Sequence, residues 1–165
     1  MTENTALDIL KSAILLEKRG EAFYRTAAGQ SANTDVKAFF ETMAEEEVQH
    51  IRILSDQFKA FKQTGRFEAP DTSQTGSVAQ KVLDPEVKER IAAADFEAAA
   101  ISAAMLMEER AVALYSRRGG EAQDPQEKKL YLWLAEWEKE HLAFLAAIDA
   151  DLKERIWNDR GFWPF

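Results

Sequence analysis

The chain has 165 residues, 46% apolar and 30% charged, with seven glycines, four prolines and no cysteine. That length suits a single domain with a real core. The net charge of -8 and the absence of any basic stripe argue against nucleic acid as a partner, while the missing cysteines exclude disulfides, thiolate metal sites and a rubredoxin-type iron centre.

The start, Met1-Thr-Glu-Asn-Thr5, has neither a basic region nor an apolar core of the secretory kind. No apolar run approaches a membrane span. The expectation is a cytoplasmic protein with no membrane partner.

Four segments carry helical periodicity. The first covers about Ala6 to Ala28, with Thr5-Ala-Leu-Asp8 as its start signal and Gly29 opening a polar turn through Asn33. The second covers about Thr34 to Lys62. The third opens at Asp84-Pro85, a cap residue followed by proline in the first turn, and is expected to end at Gly119-Gly120. The fourth opens on Asp124-Pro-Gln-Glu127, the pattern of a capping box, and runs to about Asn158.

The first two segments are separated by a few residues, as are the last two, so each pair should form an antiparallel hairpin. Residues 63–83 are rich in Gly, Ser, Thr and Gln. A helix of about 28 residues is roughly 42 Å long, and about 20 extended residues reach roughly 65 Å. The linker is therefore long enough to cross the whole bundle, making the second and third helices parallel. The expected fold is all-α: one domain over residues 1–165, two antiparallel hairpins (about 6–62 and 84–158), a crossover (63–83) and an aromatic tail (159–165).

The two hairpins repeat each other. A shift of 91 residues lays Ala13-Ile-Leu-Leu-Glu17-Lys-Arg-Gly-Glu-Ala-Phe-Tyr24 on Ala104-Met-Leu-Met-Glu108-Glu-Arg-Ala-Val-Ala-Leu-Tyr115, and Glu47-Val-Gln-His50 on Glu138-Lys-Glu-His141. The chain's two histidines thus close the same Glu-x-x-His phrase, each with a glutamate thirty residues before its own. An internal duplication accounts for this and predicts a pseudo-two-fold axis.

Helical phase tests whether these groups converge. Phe40, Met43, Glu47, His50 and Leu54 form one inward stripe; Tyr131, Leu134, Glu138, His141, Leu145 and Ile148 form its counterpart. Glu17 follows Leu10, Ala13 and Ile14; Glu108 follows Ile101, Ala104 and Met105. Each Glu and His interrupts an apolar face at mid-helix. Converging buried carboxylates are costly and mutually repulsive, and divalent cations remove both problems. Four carboxylates and two imidazoles are the ligand set of a dinuclear site in a four-helix bundle, suited to Fe(II), Mn(II) or Zn(II). Glu17 and Glu108 are expected as terminal ligands, Glu47 and Glu138 as bridges, and His50 and His141 as one nitrogen ligand per metal.

Tyr24 and Tyr115, two turns beyond their glutamates, are expected to hydrogen-bond a ligand carboxylate across the bundle. Glu21, one turn after Glu17, breaks the repeat, its counterpart being Val112, and is a possible additional ligand. Glu45, Glu46, Glu109, Glu136 and Glu140 fall off the inner stripe and read as solvated. Trp133, Trp137 and Phe144 make a second stripe on the fourth helix, expected to pack under the crossover or tail or to form a dimer interface.

Glu17, Glu47-x-x-His50, Glu108, Glu138-x-x-His141 and the two tyrosines together resemble the ferritin-like superfamily, most closely its rubrerythrin-type diiron branch. The resemblance covers about Ala6 to Asn158. It implies two iron ions, with Mn or Zn as alternatives, and reaction with dioxygen or peroxide in ferroxidase, peroxidase or iron-handling roles. Separately from the resemblance, the aromatic tail and the helix-four stripe lead to the expectation of a homodimer or higher homo-oligomer. Two features depart from that branch: rubrerythrins usually carry a Cys-rich rubredoxin domain, and a further glutamate where this chain has Ala111. In those respects the ligand set is closer to the symmetric one of bacterioferritin-like proteins.

Overall fold

A computed structural model of the chain describes residues 3–72 and 95–158. These form four α-helices: α1 (Glu3–Gln30), α2 (Thr34–Thr64), α3 (Asp95–Glu121) and α4 (Pro125–Asn158). No strand occurs among the described residues, and no helix there is long and apolar enough to cross a membrane. The expected opening of the third helix at Asp84-Pro85, residues 73–83 of the crossover and the tail 159–165 lie outside the described residues.

Local chemistry sets the boundaries. The Asn33 side chain accepts from the backbone N–H of Asp35 (2.9 Å) and Val36 (3.3 Å), capping α2. Gly65 ends α2 with φ 70°, donating its N–H to the Phe61 carbonyl; only glycine takes this left-handed position without strain. Asp124 caps α4 through the N–H groups of Gln126 and Glu127, and Pro125 occupies the first helical position.

Two boundary expectations are corrected. The helix α1 begins at Glu3, before Thr5-Ala-Leu-Asp8; the Asp8 carboxylate pairs with Lys11 at 3.1 Å instead of capping. Gly119 and Gly120 do not end α3, which runs to Glu121. Gly119 lies inside the helix because α4 approaches closely there: an added Cβ would stand 2.6 Å from Leu132 Cδ2.

The helices pair as α1 with α2 and α3 with α4, with α1 also facing α3. Glu17 meets Tyr115 while Tyr24 meets Glu108, so α1 and α3 run antiparallel. Since each hairpin is also antiparallel, α2 and α3 are parallel, as the crossover argument requires. Its first residues turn back over the bundle. The Gln57 amide donates to the Glu68 carbonyl (3.2 Å) and accepts from the Glu68 N–H (3.1 Å), and Phe67 packs on Phe61 and Tyr131.

The core is divided. One apolar cluster contains Tyr24, Phe39, Phe40, Met43, Ile101, Leu145 and Ile148; the other contains Leu10, Ala13, Leu54, Tyr115, Leu130, Tyr131 and Leu134. Glu17, Glu47, His50, Glu108, Glu138 and His141, all buried, fall between them in every helix. Hydrophobic burial at the two ends holds a polar layer in the middle that alone would oppose folding.

Candidate metal centre

All six side chains reach one interior volume. Glu17, Glu47, His50 and Glu138 form one group in which an atom from each lies within 4.8 Å of the others; Glu47, Glu108, Glu138 and His141 form a second. Either group can hold a metal ion. Glu47 and Glu138 belong to both.

The distances show how the groups converge. His50 Nδ1 lies 2.8 Å from Glu138 Oε1, 3.4 Å from Glu17 Oε2 and 3.7 Å from Glu47 Oε2. His141 Nδ1 lies 3.2 Å from Glu138 Oε2 and 3.8 Å from Glu108 Oε1. The two imidazoles are stacked with centroids 5.8 Å apart.

Across α1 and α3 the tyrosines exchange bonds: Tyr24 Oη donates to Glu108 Oε1, and Tyr115 Oη donates to Glu17 Oε1. The repeat interchanges these two bonds. Each phenol is pushed well up, by burial first and then by its own glutamate partner among the carboxylates, so both stay protonated as donors.

Without a cation the layer is electrostatically frustrated. Burial, then Glu17 and Glu138, pushes the Glu47 carboxyl well up. Burial and Glu138 push Glu108 up to about 7 against the pull of His141. Burial alone would lower both histidines, but the surrounding carboxylates hold them well above their usual range; Glu138 leads at His50, and Glu108 and Glu138 at His141. Burial would raise Glu138, yet the adjoining His50 and His141 outweigh it and hold that carboxyl well down. Glu47, Glu108 and both histidines are thus shifted toward their protonated forms, against which a cation would compete.

The remaining unmet valences fit such an ion. Both oxygens of Glu138, and His141 Nδ1, are buried without a hydrogen-bond partner among the described residues; His50 Nδ1 is close to Glu138 but not aligned for a bond. A carboxylate that pairs with two imidazoles by charge but accepts no aligned hydrogen bond, beside an inward-facing imidazole nitrogen, offers lone pairs to a shared cation. The set of carboxylate oxygens and imidazoles suits Fe(II), Mn(II) or Zn(II).

The approach from the α1–α3 side is a small cavity lined by Leu16, Glu17, Gly20, Glu47, Met107, Glu108 and Ala111, with room (about 10 Å³) for one water-sized molecule. Gly20 makes this possible. A Cβ there would stand 3.2 Å from Glu47 Cδ.

Glu21 joins neither group; its carboxylate pairs with Arg25 Nε at 2.8 Å. Glu45 is exposed and pairs with the same arginine at 3.0 Å. Glu109, Glu136 and Glu140 are exposed, as expected.

Glu46 is a correction. Expected in solvent, it is 1% exposed, and its Oε2 receives both His141 Nε2 and Trp137 Nε1, the latter at 3.1 Å. The physical reason lies in its phase: one turn before His50, it flanks the inner stripe on the side facing α4. Trp137 likewise turns inward, its ring edge-on to His50 at 4.6 Å, while Trp133 stacks edge-to-face on Trp137. The 91-residue shift exchanges positions 46 and 137, and the structure places this pair, unlike Tyr24 and Tyr115, in contact with each other.

A family model described as Rubrerythrin matches residues 8–149. No curated protein and no solved structure matches the chain significantly.

Proposed function

The chain belongs to the rubrerythrin family, and from that premise we propose that it is a diiron oxidoreductase, oxidising Fe(II) or reducing peroxide or dioxygen. Glu17 and Glu108 serve as terminal ligands, Glu47 and Glu138 as bridges, and His50 and His141 each give one Nδ1. The observation that carries this reading is that Glu47 and Glu138 each belong to both ligand groups, which is what bridging requires.

Two iron ions held there would supply the electrons for reducing the oxidant. The chain's own residues do the rest. Tyr24 and Tyr115 each donate to one oxygen of a terminal glutamate, fixing its orientation and leaving the other oxygen inward. Glu47 and Glu108, which hold protons readily in the metal-free layer, release them when a cation enters. The cavity beside Gly20 and Ala111 admits a molecule of water size, which favours a small oxidant over an organic substrate.

Rapid mixing of Fe(II)-loaded protein with dioxygen, and separately with peroxide, tests the reading: ferric absorption should grow in with at least one of them. Failure with both, in protein that holds two iron ions, would leave a non-catalytic di-metal carrier or structural bundle.

A further inference from the structure

The two histidines stand at equivalent places in the repeat but in unequal surroundings. His141 Nε2 meets Glu46 Oε2, and Trp137 Nε1 donates to the same oxygen at 3.1 Å. The symmetric counterpart would be a carboxylate at position 137 receiving His50 Nε2. An indole stands there, edge-on to the His50 ring at 4.6 Å and 87°, and His50 Nε2 has no partner among the described residues.

We propose that Glu46 is a positioning residue that makes the two metal positions unequal, so that the position formed by Glu47, Glu108, Glu138 and His141 fills first and holds its ion more tightly than the one formed by Glu17, Glu47, His50 and Glu138. This rests on the dinuclear reading above. A carboxylate on the far nitrogen of an imidazole fixes its tautomer and ring angle and raises the donor strength of the ligating nitrogen; losing such a partner typically costs about 10–100-fold in metal affinity. Glu46 is itself held, because the Trp137 N–H fixes one of its oxygens. His50 gets its orientation from packing against the Trp137 ring, which restrains the angle but adds nothing to basicity. The rest of the donor set is the same for the two positions: each has one terminal glutamate bonded by one tyrosine, and both bridges are shared.

Because the chain contains only two histidines, ring-nitrogen NMR on nitrogen-15-labelled full-length protein reads each position separately. His50 is recognised by its contact with the Trp137 ring. Chelator-treated protein is given Zn(II) in steps. At one equivalent the His141 signals should move fully to the ligated shift, with His50 responding only to the second equivalent. In E46Q, which keeps the shape but loses the charge, the two histidines should respond together, the preference having fallen by about 10–100-fold. W137F keeps the Glu46–His141 contact and should retain the order. Histidines that respond together in the native chain, or E46Q that keeps the native order, would overturn the proposal while leaving the dinuclear site in place. Histidines that stay unmoved after two equivalents would overturn the dinuclear reading itself.

Discussion

The tyrosine–glutamate bonds between α1 and α3 obey the duplication, and the contact between positions 46 and 137 of α2 and α4 breaks it. Between α1 and α3 the repeat places a tyrosine opposite a glutamate twice, and both bonds form. Between α2 and α4 it places position 46 opposite position 137, and there glutamate faces tryptophan. The first contact lies away from the axis, so identical residues can make it in two copies. The second lies near the axis, where equivalent positions touch each other and likeness becomes a handicap: two carboxylates would repel, and two indole N–H groups would have no acceptor. Symmetry is kept where it is useful twice and dropped where it would pit a group against itself.

The strongest way to break this comparison is to remove a residue common to both groups. Glu138→Ala should abolish tight binding of the second ion and leave at most one per chain by elemental analysis, whereas Glu21→Ala should leave the metal content at the native value. Two ions in Glu138→Ala would disprove the bridging role.

Next in size is the pH dependence of the metal-free fold. Glu108 at about 7 lies above its unfolded value, and both histidines are raised as well. The folded state therefore binds more protons than the unfolded one between pH 4.5 and 7 and beyond. The stability these raised groups contribute is fully present below their unfolded values and is lost as pH rises through the folded ones. At 1.36 kcal/mol per unit, Glu108 alone contributes roughly 3 kcal/mol to that loss. Glu138, held low, acts oppositely but only below its ordinary range. Thermal melts in chelator should fall from pH 5 to 8. Melts of metal-loaded protein should not, since cation binding needs those same protons gone. A metal-free melting temperature that rises over this range would contradict the frustrated layer.

The symmetric side can be tested by matched substitutions. Tyr24→Phe and Tyr115→Phe each leave a buried carboxylate oxygen without its donor, at a cost of about 1–3 kcal/mol, and the two losses in chemical denaturation should agree closely. A large difference would show that the α1–α3 side is less symmetric than its bonds. The smallest effect is expected from Gly20→Ala, whose Cβ would stand 3.2 Å from Glu47 Cδ. Stability should change by less than about 1 kcal/mol, while Zn(II) affinity falls measurably because a shared ligand is displaced.

Most of the bundle was legible because its signals are local and repeated. Apolar spacing marks the stripes, Asn33 and Asp124 mark caps, and the only two histidines mark the layer that the structure brings together. What escaped depends on approach between helices. Gly119 reads as a terminator, yet it lies inside α3 at a place where Leu132 of α4 occupies the space a side chain would need. Glu46 reads as solvated because helical phase ranks residues by distance from a stripe's centre, and a flanking carboxylate turns inward only when the neighbouring helix offers it donors. Glu127 fits a capping box, but its carboxylate goes to Arg118 at 2.7 Å, a residue on the other helix of the hairpin. Glu21 is on the right turn for the layer but finds Arg25 on its own helix.

The crossed tyrosine bonds also bear on how the halves depend on each other. Each hairpin carries a glutamate whose phenol donor belongs to the other, so neither hairpin alone can satisfy its own buried carboxylate. Two identical hairpins joined as separate chains would form both crossed bonds equally well. They would fail at the axis, where a self-pair has no complementary partner. Joining the halves in one chain lets their sequences differ at that spot, so fusion supplies what exact self-association cannot: a donor on one half facing an acceptor on the other.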